Sequence, residues 1–328
     1  MTVRIAVVGA GAFGSQHLDA LSVIDDAVVT SVASLPIEQA EKAAAHHGIP
    51  HACADLDAVL ERPDVDAVVL ATPTPLHAVQ AVAALRAGKH VQVEIPLADS
   101  WADSEHVARV AAETGLVCMV GHTRRFNPSH RWVHDRIRAG ELTLQQLEVR
   151  THFLRRTNIN ALGEPRDWTD HLLWHHAAHT VDLLRYQTGE EIAAAHVLAG
   201  PAHPELGIAM DMAIQLRTTG GTICTLSLSF NNDGPLGTVF RYIGDTGTYL
   251  ARYDDLVDGY EKPIDLSGVP VPSNGVEGQD REFVAAIREG REPESSVAAV
   301  LPSYRVLADL QSSLERSGLE LERPASQR

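Results

Sequence analysis

The sequence predicts an α/β protein with a doubly wound parallel sheet in its N-terminal part, followed by an α+β domain with a largely antiparallel open sheet. Apolar strand segments alternate with helical segments without a break up to residue 121, and a glycine-rich turn follows the first strand. Beyond residue 121, several strand segments follow one another with short turns between them. We therefore place a first domain at 1–121 and a second domain at 122–328.

The first strand, at 3–8, runs into the spacing G-x-G-x-x-G, and apolar residues at helical spacing follow. Gly9 allows a tight turn, Gly11 lets the backbone approach a pyrophosphate, and Gly14 lets the helix pack close to the strand. The N-terminus of the helix then faces the anion. This pattern predicts a Rossmann dinucleotide-binding domain, and the expected cofactor contacts in the turn are Gly9, Gly11, Ala12, Phe13 and Gly14.

The second strand, at 28–33, ends at Ser34, twenty positions after Gly14. Domains that bind NAD have an acidic residue at this point, which binds the ribose hydroxyls. A neutral hydroxyl removes the repulsion that excludes a 2′-phosphate, although Leu35 supplies no cation to bind that phosphate. We therefore expect NADP as the cofactor, with NAD as the alternative.

The remaining elements of the first domain follow from the same periodicities. They are a helix at 36–47, a strand at 66–71, a helix at 76–87, a strand at 90–94, a helix at 101–114 and a strand at 117–121. Ligands of such sheets bind at the carboxyl ends of the strands. The expected cofactor contacts at this edge are Thr72, Pro73, Thr74, Glu94 and Ile95.

In the second domain, periodicity predicts helices and strands in a different order. The helices are at 128–140, 169–187, 276–288 and 297–317, and the strands are at 144–153, 192–198, 209–216, 222–230, 238–243 and 248–253. Short turns between consecutive strands favour an antiparallel sheet. One face of an open sheet is either polar or covered, and we expect it to pair with a second subunit in a homodimer or homotetramer.

The helix at 169–187 has His171, His175, His179 and Asp182 at spacings of four, four and three, which aligns them on one face. Such a stripe is either a candidate catalytic site or a solvated polar face. Zinc is a further alternative, because His175 and His179 have the spacing of two ligands. No acid stands between them in the position that zinc peptidases use, and a nucleotide-binding fold explains the site without a metal. We therefore expect no metal.

The composition excludes several classes of function. The net charge of -16 argues against nucleic-acid binding. No uninterrupted apolar run is long enough to cross a bilayer, and the N-terminus reads as a strand and not as a secretion signal, so we expect a cytoplasmic protein with no membrane partner. The three cysteines are far apart in apolar surroundings, which indicates buried thiols.

Four further motifs follow the glycine turn in order. They are A-T-P-x-x-x-H at 71–77, G-K-H-V-x-x-E-x-P-L at 88–97, G-H-T-R-R-F-x-P at 121–128 and H-x-x-D at 179–182. Together they resemble the glucose-fructose oxidoreductase, inositol dehydrogenase and rhizopine catabolism (Gfo/Idh/MocA) family. The resemblance implies an NAD(P)-dependent dehydrogenase and adds His77 and His122 to the expected cofactor contacts. The chain departs from the family at Ile95, where the family has a catalytic lysine, and at His175, where it has an aspartate.

The residues at these two positions resemble those of a narrower branch of the family. Whole runs of the sequence, such as 90–101 and 168–182, resemble the same branch. That resemblance implies NADP-dependent oxidation of a dicarboxylate semialdehyde, in its cyclic lactol form, to 2-pyrone-4,6-dicarboxylate in protocatechuate 4,5-cleavage. A lactol hydroxyl is more acidic than an ordinary secondary alcohol, so a histidine base can replace the lysine. We expect His179 to be the general base, supported or oriented by His175 and His176.

Two substrate carboxylates need cations, and bidentate guanidinium groups suit them. Arg124 matches the family's substrate-contacting position, and Arg155 follows the first strand of the second domain, so we expect both to bind carboxylates. Arg125 is a further candidate, with bracing of the domain junction as its alternative role. Trp168 and His171 complete the expected substrate contacts. Two other functions stay open: a sugar or cyclitol dehydrogenase, and a nucleotide-sensing protein without turnover.

Overall fold

The computed structural model describes residues 2–159, 163, 165–166, 168–269 and 274–316, which form two compact units. The first unit consists mainly of the chain up to Gly121 together with Val276–Leu301. The second consists of 122–159, most of 165–275, and 302–316. The boundary expected at residue 121 therefore misses the segment 276–301, which belongs to the first unit.

The first unit contains a parallel sheet with helices between its strands. The strands are β1 (Val3–Val8), β2 (Ala27–Ala33), β3 (His51–Cys53), β4 (Ala67–Leu70), β5 (His90–Val93) and β6 (Cys118–Val120). The helices are α1 (Ala12–Leu21), α2 (Ile37–His47), α3 (Leu56–Leu60), α4 (His77–Arg86) and α5 (Trp101–Thr114). The strand order is β3-β2-β1-β4-β5-β6 and every adjacent pair is parallel, which confirms the predicted Rossmann sheet. β3 and α3 are too short to show a period and are not predicted from the sequence.

The central strands of this sheet are mostly apolar, as a parallel sheet with helices on both faces requires. Ile5, Val7, Val68 and Val91 are fully buried. The parallel pairing of β1 with β4, and of β4 with β5, places the carboxyl ends of these strands side by side. The segments that follow them therefore meet at one edge.

The second unit contains a seven-stranded sheet. Its elements are α6 (Pro128–Arg138), β7 (Leu144–His152), a π-helical segment (Leu172–Ala177), α7 (Ala178–Thr188), β8 (Ile192–Ala199), β9 (Asp211–Thr218), β10 (Ile223–Ser229), β11 (Gly237–Gly244), β12 (Thr248–Arg252) and β13 (Asp255–Asp258). The strand order is β13-β12-β11-β7-β10-β9-β8, and only the β7–β10 pair is parallel. The predicted, largely antiparallel sheet is confirmed. Along β9, Met212, Ile214 and Leu216 are buried and alternate with exposed residues, so one face of the sheet packs on the core.

Two late helices complete the fold, α8 (Gly275–Glu289) and α9 (Val297–Arg316). Asp280 of α8 is fully buried in the first unit and accepts a hydrogen bond from His17 Nδ1 at 2.9 Å. The other ring nitrogen of His17 lies 3.2 Å from Glu94, the residue that follows β5. Gln279 donates to the same glutamate at 2.9 Å. This buried network explains why a segment distant in sequence belongs to the first unit.

Two further expectations concern the whole chain. The cysteines Cys53, Cys118 and Cys224 are buried and not disulfide-bonded, and burial raises the pKa of Cys118 and Cys224 to about 12. They are inert core thiols, as expected from the sequence. Across the described part of the chain, no helix has the length and apolar character needed to cross a membrane.

The buried network predicts a stability that depends on pH. Burial alone would lower the pKa of His17, but the charge of Asp280 and the hydrogen bonds from Asp280 and Glu94 raise it to about 10. The unfolded chain loses this proton at about pH 6.5, so the contribution is complete below that pH and is lost as the pH rises towards about 10. We expect the free energy of unfolding to fall by about 1 kcal/mol per pH unit in this window. Denaturant titrations from about pH 7 to 9 measure it.

The control is the double variant His17→Gln/Asp280→Asn, which removes both charges and leaves neither one buried alone. Its free energy of unfolding should have a flatter dependence on pH over the same window. Equal slopes for the native chain and the double variant would contradict a protonated His17.

Candidate active site

The glycine turn after β1 has the geometry that a dinucleotide requires. Gly9 has a φ of +104°, and a Cβ at this position would overlap the carbonyl oxygen of Ala71. A Cβ on Gly14 would overlap the carbonyl oxygen of Gly9, so both positions need glycine. Gly11 has open space around its Cα and begins α1 without a side-chain cap, and no acid lies in the first turn. The first backbone N–H groups of α1 are thus available to a pyrophosphate.

Ser34 lies at the end of β2, beside this turn. Its hydroxyl oxygen lies 3.4 Å from the backbone N–H of Ala10 and donates to Gln39 at 3.2 Å. Both neighbours are neutral. The place at which an NAD-specific domain has a carboxylate therefore holds a hydroxyl and an amide here.

The segments that follow β4 and β5 are joined by His77. Its ring nitrogens lie 2.7 Å from the carbonyl oxygens of Thr72 and Pro96, and the side chain is buried. Thr72 donates through its hydroxyl to Gln80 at 2.6 Å. The ring of His77 therefore positions the two turns, and its expected contact with the cofactor stays a prediction.

Glu94 is also occupied inside the first unit, by His17 and Gln279. Burial tends to raise the pKa of Glu94, but the hydrogen bond and the charge of His17 lower it overall. The expected contact of Glu94 with the cofactor stays a prediction. Ile95 is half-buried, Pro73 is exposed and Thr74 is buried, and their expected contacts with the cofactor stay predictions.

In the second unit, the predicted histidine-rich helix begins later than expected. Residues 169–171 are not helical, and His171 has extended backbone angles at the start of the π-helical segment. A π-helix has a wider turn than an α-helix, so α-helical spacing does not continue through this segment from His171 to His179, although the ring of His171 lies against that of His175. His171 is therefore not part of a stripe with His179. π-Helical turns occur frequently at functional sites.

His179 lies in the first turn of α7, in positively charged surroundings. Burial lowers the pKa of its ring well below the ordinary value, and Arg124, His122, His176 and His130 lower it further. The imidazole is therefore neutral at neutral pH and able to accept a proton. Its Nδ1 atom is buried, with no hydrogen-bond partner among the described residues.

His122 lies beside His179, with ring centroids 6.1 Å apart and rings nearly perpendicular. Its Nδ1 atom lies 3.5 Å from Asp182, and its Nε2 atom lies 3.5 Å from the hydroxyl of Tyr304. The residues that contact His122 here thus all lie in the second unit. Its expected contact with the cofactor stays a prediction.

Arg125 forms a bidentate ion pair with Asp182, with both N–O distances at 2.7 Å. Both side chains are buried, and the guanidinium lies over the ring of Tyr186. Burial tends to raise the pKa of Asp182, but the charge of Arg125 lowers it overall. This ion pair braces α7 within the second unit, and the expectation that Arg125 binds substrate stays a prediction.

His175 and His176 lie in the π-helical segment and have different surroundings. His175 accepts the backbone N–H of His171 at Nδ1, at 2.9 Å, and its ring stacks with those of Trp168 and His171. The ring of His176 lies against Phe153 and Phe230. Burial lowers the pKa of His176 to about 4, so this ring is neutral. Either ring can support or orient the base. Within the described ranges, no group of three or more His, Cys, Asp or Glu side chains is arranged to hold a metal ion.

Two of the expected arginine contacts have donors to spare. Arg124 is half-buried over the ring of Tyr253 and donates to Asn127 at 3.2 Å, and its buried Nε has no partner among the described residues. Arg155 contacts Asp170 through one Nη atom, and its other, buried Nη atom has no described partner. Both can bind a carboxylate, and both assignments stay predictions.

Four side chains that had no predicted role in the site form buried or half-buried pairs in the structure: Asp170, Arg166, Asp280 and His17. Asp170 forms ion pairs with both Arg155 and Arg166, and Asp280 forms an ion pair with His17. The spacing of four between Arg166 and Asp170 is a weak signal for a pair. The pairing of His17 with Asp280 joins residues 263 positions apart, and no local pattern reveals it.

Comparisons with known proteins agree with this geometry. Residues 3–122 match the family described as "Oxidoreductase family, NAD-binding Rossmann fold", and residues 128–270 match "Bacterial oxidoreductases, C-terminal". Among solved structures, the scyllo-inositol dehydrogenase of Lactobacillus casei with bound NAD(H) and scyllo-inositol superposes with a TM-score of 0.79. It is 20% identical, and the match covers 97% of this chain and 98% of that one. At this identity the likeness concerns the fold.

Curated relatives are more similar in sequence. The 4-carboxy-2-hydroxymuconate-6-semialdehyde dehydrogenase of Sphingobium sp. (strain NBRC 103272 / SYK-6) is 65% identical over 96% of this chain and 100% of its own length. The inositol 2-dehydrogenase of Mycolicibacterium smegmatis is 32% identical over 88% of this chain and 85% of its own length.

Proposed function

The chain belongs to the oxidoreductase family with an NAD-binding Rossmann fold, and we propose that it oxidises 4-carboxy-2-hydroxymuconate-6-semialdehyde with NADP. The substrate reacts in its cyclic lactol form, and the product is 2-pyrone-4,6-dicarboxylate. The observation that carries the proposal is the similarity to the Sphingobium dehydrogenase along nearly the whole chain. The reaction belongs to the degradation of protocatechuate by 4,5-cleavage.

The residues of the second unit supply the proton chemistry. When bound, the nicotinamide supplies the hydride acceptor. Hydride leaves the lactol carbon as its hydroxyl loses a proton, and His179 accepts that proton at a ring nitrogen. The lowered pKa of His179 keeps this nitrogen unprotonated at neutral pH. The lactol hydroxyl is acidic enough that the chain manages with Ile95 in the place of a lysine.

Arg124 and Arg155 bind the substrate carboxylates. Each is a guanidinium with a buried N–H group that no described residue accepts, which is the arrangement that a carboxylate satisfies. Burial lowers the pKa of both groups, but a guanidinium stays charged at any pH at which the enzyme works. The two charges favour a dianion over a neutral polyol.

We also propose a cellular location and an oligomeric state for the protein. Three reduced, buried cysteines suit a reducing compartment, which supports the cytoplasm as the location. The outer face of the seven-stranded sheet, with exposed residues such as Ala213 and Gln215 on β9, is our proposed contact in a homodimer or homotetramer.

The substrate is tested by comparing specificity constants. We expect the ring-cleavage semialdehyde to exceed glucose and myo-inositol by about 100-fold or more, because two charge-assisted contacts are lost with a neutral polyol. Reduction of NADP is followed by absorbance, and the lactone product is identified by its mass. A higher specificity constant for either polyol would favour the sugar or cyclitol dehydrogenase instead, and no turnover at all would favour a nucleotide-sensing protein.

The cofactor preference is tested at Ser34. The native enzyme should have a higher specificity constant with NADP than with NAD, and Ser34→Asp should shift the preference towards NAD, because a carboxylate repels the 2′-phosphate. Ser34→Ala is the matched control, since it removes the hydroxyl without adding a charge. Equal use of both cofactors by the native enzyme, or no shift in Ser34→Asp, would overturn the NADP assignment.

The base is tested at His179. We expect His179→Ala to lower turnover by about 100-fold or more while the affinity for NADP, measured by fluorescence titration, stays near native. Because the pKa of His179 lies well below the ordinary histidine value, the native rate should stay level through neutral pH and fall only at more acidic pH. Native turnover in His179→Ala would move the role to His175 or His176. A fall in rate already near the ordinary histidine pKa would contradict the buried, neutral ring.

A further inference from the structure

We infer that Arg155 and Arg166, held together by Asp170, form a binding subsite for one carboxylate of the substrate, and that Arg166 is a specificity-determining residue. The inference rests on the proposed function, since it names the group that reads one end of a dicarboxylate. It differs from the sequence-based expectation, which gave Arg166 and Asp170 no part in binding.

Asp170 is the centre of this subsite. Its Oδ1 atom accepts from Arg166 at 2.8 Å, and its Oδ2 atom accepts from Arg155. Burial by itself would raise the pKa of Asp170, but the charges of His175, Arg155 and Arg166 lower it to about 2. The carboxylate is therefore ionised at every working pH and fixes the two guanidinium groups on either side of it.

An aromatic ring against one face of each guanidinium group also holds it in place. Arg155 lies over the ring of Phe230, with 4.8 Å to the centroid, and Arg166 lies over the ring of Trp168, with 4.7 Å to the centroid. Asn158 donates its side-chain amide to the carbonyl oxygens of Arg166 and Trp168, both at 2.9 Å. With one face of each guanidinium covered, the edges of the guanidinium planes are the parts that carry free N–H donors.

The edges keep unused donors. Nη1 of Arg155, and both Nε and Nη2 of Arg166, are buried and have no hydrogen-bond partner among the described residues. Nε and Nη2 are the pair of atoms with which a guanidinium makes its fork to a carboxylate. Leaving such donors buried without an acceptor is costly, so the arrangement is suited to an anion that completes it.

The charge balance points the same way. Among the described residues, Asp170 is the one carboxylate in contact with either guanidinium, so the pair keeps a net charge of one. The neighbouring ring of His176, whose pKa burial lowers to about 4, adds no positive charge at neutral pH. Arg155, Arg166 and Asp170 by themselves keep one positive charge for an anion, and the charge of His175, which also lowers the pKa of Asp170, adds to it. Arg124, which has Asn127 and Tyr253 as its neighbours, is left to the other carboxylate.

The experiment uses a ligand that cannot react. Pyridine-2,4-dicarboxylate has two carboxylates in the same arrangement around the ring as the proposed pyrone product, and its binding to the full-length enzyme with NADP is measured by calorimetry. We expect Arg166→Gln to weaken its binding by about 10- to 100-fold, the range for one charge-assisted contact. Arg166→Lys should recover only part of this, because an ammonium keeps the charge and loses the fork.

Arg156→Gln is the matched control. Arg156 neighbours Arg155, is exposed, and donates to the carbonyl oxygen of Phe230 at 3.3 Å and to Asn231 at 3.1 Å. The variant Arg156→Gln removes a positive charge from the same loop. It should change the affinity for the dicarboxylate by less than about 2-fold, because exposed charges are screened. Two monocarboxylates, pyridine-2-carboxylate and pyridine-4-carboxylate, each keep one of the two carboxylate groups. For the one that lacks the group bound at this subsite, Arg166→Gln should not change the affinity.

The outcomes separate this inference from the proposed function. Equal affinities for Arg166→Gln and Arg156→Gln, or no binding of the dicarboxylate to the native enzyme, would overturn the subsite even if the semialdehyde is oxidised. Binding that depends on Arg166 would support the subsite even if the semialdehyde is not turned over, in which case only the proposed reaction fails. If Arg166→Gln does not fold, Arg166→Lys decides: a native affinity in that variant would contradict a bidentate contact.

Discussion

The buried ion pair between His17 and Asp280 is the interaction on which the first unit depends. It joins α1, which follows the glycine turn, to α8, and through the second ring nitrogen it also joins Glu94 at the end of β5. Both ring nitrogens face carboxylates, so the imidazole is held as a cation in the interior. Charges buried this deeply are tolerated only as partners, which makes the relative positions of these three elements specific.

The second unit is organised by two acids that each bind arginine, with different consequences. Asp182 accepts from Nε and Nη2 of Arg125, and this bidentate pair braces α7. Asp170 is divided between Arg155 and Arg166 and leaves donors unused. A saturated pair is a structural element, whereas an unsaturated one is suited to a ligand. The same residue types thus serve stability in one place and recognition in the other.

The same positive surroundings decide which histidines can act as bases. Burial and neighbouring cations keep the pKa of His179 and His176 low, so both rings are neutral at neutral pH. Acidic partners do the opposite for His17, whose pKa is about 10. His17, between two buried carboxylates, is therefore a fixed cation, whereas His179, among positive groups, is a candidate proton acceptor.

The sequence by itself determined the Rossmann unit, because its signals are local: an apolar strand, three glycines at fixed spacing and a helix lie within a few turns of chain. It also located the antiparallel sheet and Ser34. The tertiary structure decided what depends on distant partners or on the backbone path. His77 and Arg125, both expected ligand contacts, have partners inside the fold, and the π-helical segment removes His171 from the stripe that α-helical spacing predicts. The physical reason is that spacing defines neighbours only within one regular element, whereas the partner of a buried charge is chosen by packing across the whole unit.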